Sequence, residues 1–76
     1  MNASSNQTTF SMNKIINLKQ VIDFTGLSRA TIYNLLDPKS DYYDATFPKQ
    51  VRLTINRVGW AAFEINQWID SKLAQR

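Results

Sequence analysis

The chain of 76 residues contains neither cysteine nor histidine. That removes disulfide staples, the usual zinc ligand sets and the commonest side chains of nucleophilic and general-base catalysis. No phosphate-cradling glycine loop is present and the carboxylates form no paired motif, so an enzyme is the weakest reading and neither cofactor nor metal is expected. No apolar run approaches the length of a membrane span. Residues 1–13 have neither the basic start nor the apolar run of a signal peptide. They carry no charge and one large aromatic, Phe10, which reads as a disordered leader ahead of a single small domain at residues 14–76. Without disulfide or metal, so small a domain must draw its stability from packing, to which the two tryptophans contribute much. The lack of cysteine is compatible with a cytoplasmic protein.

Acid is also missing locally. The net charge is only +3, yet Ala45 to Trp60 holds Lys49, Arg52 and Arg57 with no carboxylate, so this segment alone equals the whole excess. Asp37, Asp41 and Asp44 precede it, and Glu64 and Asp70 follow. A basic patch on a nearly balanced chain suits a polyanion on one face, although a solvated hairpin has the same composition.

What is there begins with punctuation. Of the two glycines, Gly26 stands in Thr25-Gly26-Leu27-Ser28-Arg29-Ala30-Thr31-Ile32-Tyr33, which combines a helix stop, a tight corner and a helix start. Upstream, Asn17 and Gln20 form a capping box and Ile16 is placed to staple against Val21. Leu18, Val21, Ile22 and Leu27 then lie mostly on one side, with Lys19, Gln20 and Asp23 toward water. Ser28 caps a second helix. At about 100° per residue, Thr31, Ile32, Leu35 and Leu36 form its core half, and Arg29, Ala30, Tyr33, Asn34 and Asp37 its outer half. Such an outer half offers groups that read base edges and grip phosphates. Taken alone, the segment supports DNA contact and a purely structural helix pair equally, since any helical corner needs a glycine and a cap.

Asp37 to Thr46 has loop composition. From Phe47, Val51, Leu53 and Ile55 alternate with Gln50, Arg52 and Thr54; after a turn near Ile55-Asn56-Arg57, Val58 and Trp60 repeat the pattern. This predicts a short β-hairpin whose exposed face holds Arg52 and either Lys49 or Arg57, according to register. Beside a helix-turn-helix, such a hairpin is a wing able to lay cations on phosphates or in the minor groove. Ala61 to Leu73 predicts a third helix with Ile65, Trp68, Ile69 and Leu73 in one stripe and Glu64, Gln67, Asp70, Ser71 and Lys72 on the wet side. Trp60 and Trp68 read as core rather than as base-stacking or partner-anchoring groups. Phe63 lies off the stripe, either under the loop or at a protein contact. The fold class is therefore mainly α with a small β-hairpin, a winged helix-turn-helix.

The elements and their order resemble a known family. Leu18-Lys19-x-Val21, Thr25-Gly26-Leu27-Ser28-Arg29-x-Thr31-Ile32-Tyr33-x-Leu35, Phe47-Pro48-Lys49, Val51-x-Leu53, Val58-Gly59-Trp60 and Glu64-Ile65-x-x-Trp68-Ile69 together resemble the AlpA family of prophage-associated transcriptional regulators, relatives of excisionases with a MerR-like winged-helix fold. The resemblance covers about residues 14–74. It implies a cytoplasmic, nucleoid-associated, sequence-specific binder of double-stranded DNA from a phage, prophage or other mobile element, regulating integrase or excision genes or acting in excision itself. Carried over by position, it puts Ser28, Arg29, Ala30, Tyr33 and Asn34 in the major groove and gives the wing Lys49, Arg52 and Arg57. One small domain covers few base pairs, so a homodimer, a cooperative array on DNA, or contact with integrase or RNA polymerase is implied as well. Two features depart from the family pattern: the long Asp37 to Thr46 link, and Thr54-Ile55-Asn56-Arg57 in place of a Gly-Gly-Arg type of wing turn. The competing reading is a protein-interaction adaptor on the same scaffold, supported by Tyr42, Tyr43, Phe63 and the low net charge.

Overall fold

The computed structural model describes residues 14–76, so the leader expected at residues 1–13 lies outside the described residues. The elements run β1 (Ile15–Ile16), α1 (Leu18–Thr25), α2 (Arg29–Leu36), β2 (Val51–Thr54), β3 (Arg57–Ala61) and α3 (Ala62–Ala74). Helix α1 starts where its capping box predicts: Asn17 Oδ1 accepts from Gln20 N at 2.9 Å, and Asn17 N donates back to Gln20 Oε1 at 3.0 Å. It stops at Gly26, whose left-handed backbone (φ 74°) lets its N–H reach Ile22 O at 2.8 Å. Thr25 Oγ1 bonds back to Val21 O and accepts from Leu27 N, which fixes the corner. Ser28 Oγ caps α2 by accepting from Thr31 N at 3.1 Å.

One element escapes the sequence pattern. Ile15–Ile16 pairs antiparallel with β3, matching Ile15 to Ala61 and Ile16 to Trp60, so the sheet has three strands in the order β1-β3-β2. Two residues are too few to show an alternation, and Ile16, expected as a staple, is also a strand residue with 1% exposure. Gly59 makes this approach possible. A Cβ built there would lie 2.6 Å from Ile16 O and 2.7 Å from Ile15 Cγ2, so only a residue without a side chain lets β1 sit against β3.

Every element except β2 feeds the core. Ile16, Val21, Ile32, Phe47, Trp60, Ala62 and Ile65 are buried, and Leu18, Ile22, Leu27, Leu35, Leu36, Trp68 and Ile69 pack around them half-buried. Trp60 is the largest fully buried side chain, as its core reading required. Its indole Nε1 has no hydrogen-bond partner among the described residues, so packing alone orients the ring.

The hairpin corrects two expectations. Alternation from Phe47 implied an extended strand with Val51, Leu53 and Ile55 on an inner side; instead β2 begins at Val51, and Leu53 and Ile55 are 51% and 83% exposed. The reason is geometric. At the base of the ribbon half-buried Val51 pairs with buried Gly59; beyond it, among the described residues, neither Leu53 and Ile55 nor Val58 is covered. The turn is also unusual for a hairpin. Among the described residues no non-glycine has positive φ, so Ile55-Asn56 cannot adopt the mirror-image turn common in two-residue loops. A register shift between Arg52 and Thr54 absorbs the misfit as a bulge at Leu53.

Candidate nucleic-acid interface

The two helices and the wing are tied together by the Asp37 to Gln50 connection, which is ordered by its own side chains. Asp37 caps the end of α2 and its Oδ1 accepts from Lys39 N at 2.9 Å, so this carboxylate turns into the loop. Asp44 N donates to Leu35 O at 3.0 Å, returning the loop to the end of α2. The Asp44 carboxylate then accepts from Thr46 N (2.8 Å), from Thr46 Oγ1 and from Trp68 Nε1 (3.2 Å), and pairs with Lys72 Nζ at 3.1 Å. These donors hold its pKa well below the usual 3.8; the Thr46 hydroxyl contributes most, and partial burial opposes them. Phe47 closes the arrangement edge-on against Trp68, ring centres 5.0 Å apart, with Lys72 Nζ 5.3 Å from the same indole. Trp68 is thus half-buried core that also supplies a polar anchor. Asp44-Ala45-Thr46 is recognisable in the sequence as a side-chain-capped turn, but the Trp68 and Lys72 partners of Asp44 lie far along the chain and give no local signal.

With the loop anchored, α2 presents a free outer face. Ser28, Arg29, Ala30, Tyr33 and Asn34 are all exposed, and Tyr33 keeps 44% of its surface. Among the described residues, no hydrogen bond or ion pair occupies the Arg29 guanidinium, the Tyr33 hydroxyl or the Asn34 amide. The opposite face buries Ile32 completely and carries half-buried Thr31, Leu35 and Leu36. Thr31 leans toward the cap, where Ser28 Oγ donates to its hydroxyl at 3.0 Å. The angular division read from the sequence therefore holds residue by residue. The N-terminal end of α2 adds the partial positive charge of a helix start beside Arg29.

The wing cations are exposed but do not share one face. Arg52 pairs with Val58 and Thr54 with Arg57. Because Arg57 and Val58 are successive residues of β3, Arg52 and Arg57 leave opposite faces of the ribbon. Lys49 lies before β2, outside the ladder. The alternative of one face holding Arg52 with Arg57 is thereby corrected: these two cations stand on opposite sides of the ribbon near its tip, and Lys49 lies before its base. Arg52 Nη1 reaches Ile55 O at 3.3 Å and Asn56 N donates to Thr54 Oγ1 at 3.3 Å, which stiffens that tip.

Tyr42, Tyr43 and Phe63 are 72%, 42% and 38% exposed, so Phe63 is not sealed under the loop. A shallow groove of about 300 Å³ lies between the end of α1 and the end of α3, lined by Phe24, Leu27, Ile69 and Leu73. Leu73, placed by pattern in the core stripe, is half exposed because it lines this open groove rather than the core. Among the described residues no group of three or more acidic, cysteine or histidine side chains could hold a metal ion. No helix among them is long and apolar enough to cross a membrane.

Comparison with known proteins bears directly on these elements. Residues 14–73 match the family described as Prophage CP4-57 regulatory protein (AlpA). The chain is 49% identical over 59 residues to the DNA-binding transcriptional activator AlpA of Escherichia coli (strain K12), an overlap of 78% of this chain and 84% of that protein. No solved structure matches the chain.

Proposed function

The chain belongs to the Prophage CP4-57 regulatory protein (AlpA) family, and from that premise we propose that it is a DNA-binding transcriptional regulator of prophage type. The observation that carries this reading is the outer face of α2, exposed among the described residues, on a capped helix that buries Ile32 and whose outer side chains are suited to base edges and phosphates. Arg29 and Asn34 discriminate bases in the major groove, with Ser28, Ala30 and Tyr33 beside them. Arg52, Arg57 and Lys49 bind phosphate and supply much of the affinity. Regulation of integrase or excision genes, or a direct part in excision, is the finer reading. Because one domain of this size covers few base pairs, it works as a dimer, as a row of adjacent protomers or with integrase or RNA polymerase, on the nucleoid in the cytoplasm.

Selection of bound sequences from random duplex DNA, followed by footprinting, is the deciding experiment. A defined motif with salt-sensitive affinity is expected, and the half-site spacing reports the assembly. On the selected site Arg29→Ala should lower discrimination at one position by about 1–3 kcal/mol, as the loss of a bidentate contact does. Arg57→Ala should weaken all duplexes alike and reduce the salt slope by about 1. If both variants bind like the parent, these assignments fail; absence of salt-sensitive retention on any duplex favours the adaptor that the exposed Tyr42 and Phe63 would serve.

A further inference from the structure

The wing ends in an apolar side chain that the packing of the domain does not use. Ile55 is 83% exposed at the turn between β2 and β3, the most exposed large hydrophobic residue described, and Leu53 and Val58 behind it are 51% and 41% exposed. Arg52 and Arg57 flank it from opposite faces of the ribbon, and Arg52 is hydrogen-bonded to the Ile55 carbonyl. From Ala45 through Phe63 there is no acidic residue. An exposed isoleucine on a stiff, two-sided cationic tip matches a polyanionic cleft with apolar walls: the minor groove is about 6 Å wide, with a phosphate strand on each side and stacked bases at its floor.

We propose that Ile55 is a minor-groove wedge that enters between two base pairs, partly unstacks them and kinks the duplex, while Arg52 and Arg57 hold one phosphate strand each. The inference rests on the DNA-binding reading above and adds to it a side chain that reads deformability rather than base edges. Steps that unstack easily, such as TA, are then preferred under the wing over stiff A-tracts.

The test uses the full chain and its selected duplex, with 2-aminopurine replacing a base at the step under the wing and end labels reporting the bend by energy transfer. Binding of the parent should raise the 2-aminopurine fluorescence and shorten the end-to-end distance, as a kink in the range of about 20–90° does. Ile55→Ser should bind with the same salt slope but without either signal, and should lose an approximately tenfold preference for a TA step over an A-tract. Ile55→Met, which keeps an apolar wedge, should restore all three. Both variants should melt with the parent because the side chain touches solvent rather than core. If the parent binds with salt sensitivity yet leaves the step stacked, or if Ile55→Ser unstacks it equally, the wedge is overturned and the DNA-binding reading stands. Concentration-dependent self-association abolished by Ile55→Ser, with DNA bending unchanged, also overturns it by assigning the tip to a second copy of this chain. If no duplex shows salt-sensitive binding, the underlying reading fails and the wedge fails with it.

Discussion

Removing the Asp44 carboxylate tests the anchor that fixes the connection between α2 and the wing. In Asp44→Ala, Thr46 N, Thr46 Oγ1 and Trp68 Nε1 lose their acceptor and Lys72 loses its partner. A hydrogen bond to a charged group contributes about 1.5–3 kcal/mol, and an ion pair with one partner as exposed as Lys72 (44%) about 0–1 kcal/mol. These contributions share one carboxylate and do not add, so a net loss of about 2–3 kcal/mol is expected. For a domain of this size that corresponds to a fall in Tm of roughly 8–24 °C. The pH dependence has a definite sign. The folded-state pKa is depressed below 3.8, so the stabilisation is fully present above about pH 5 and is lost as pH falls through 4 and below, where the unfolded chain binds the proton first. Asp44→Asn keeps the shape and removes the titration. Thermal melting of parent, Asp44→Ala and Asp44→Asn by circular dichroism between pH 7 and pH 2 should therefore show the gap between parent and variants closing toward low pH. A gap of constant size across that range, or an Asp44→Ala variant melting within about 2 °C of the parent at pH 7, would refute the reasoning.

Two glycine substitutions separate conformational cost from steric cost. Gly26→Ala meets nothing within 4 Å and pays only for a side chain in left-handed backbone, about 1–2 kcal/mol in urea unfolding, with Gly26→Asn recovering part of it. Gly59→Ala has acceptable backbone angles but drives its Cβ into Ile16 O, so it should cost about 1–3 kcal/mol and expose the β1 amides to hydrogen exchange ahead of those of α1 and α2. Equal protection of β1 in Gly59→Ala and parent would show that the close approach is not what the glycine is for.

Local, short-range chemistry is what the sequence alone settled. The capping box at Asn17, the left-handed stop at Gly26, the Ser28 cap and the two faces of α2 each depend on residues within a few positions of one another, so they could be read in order and recur in the structure. So could the core role of Trp60, since a small domain has no other place for so large an apolar surface. The tertiary structure decided the rest. β1 exists only because a glycine far along the chain leaves room for it, and Asp44 matters only because folding brings α3 and its Trp68 and Lys72 beside the loop. The wing shows the boundary most clearly. Alternation cannot say how far a ribbon extends past the core, nor can composition say how its strands are registered; both depend on what lies opposite each residue, and the first leaves Leu53 and Ile55 in water while the pairing of Arg52 with Val58 puts Arg52 and Arg57 on opposite faces.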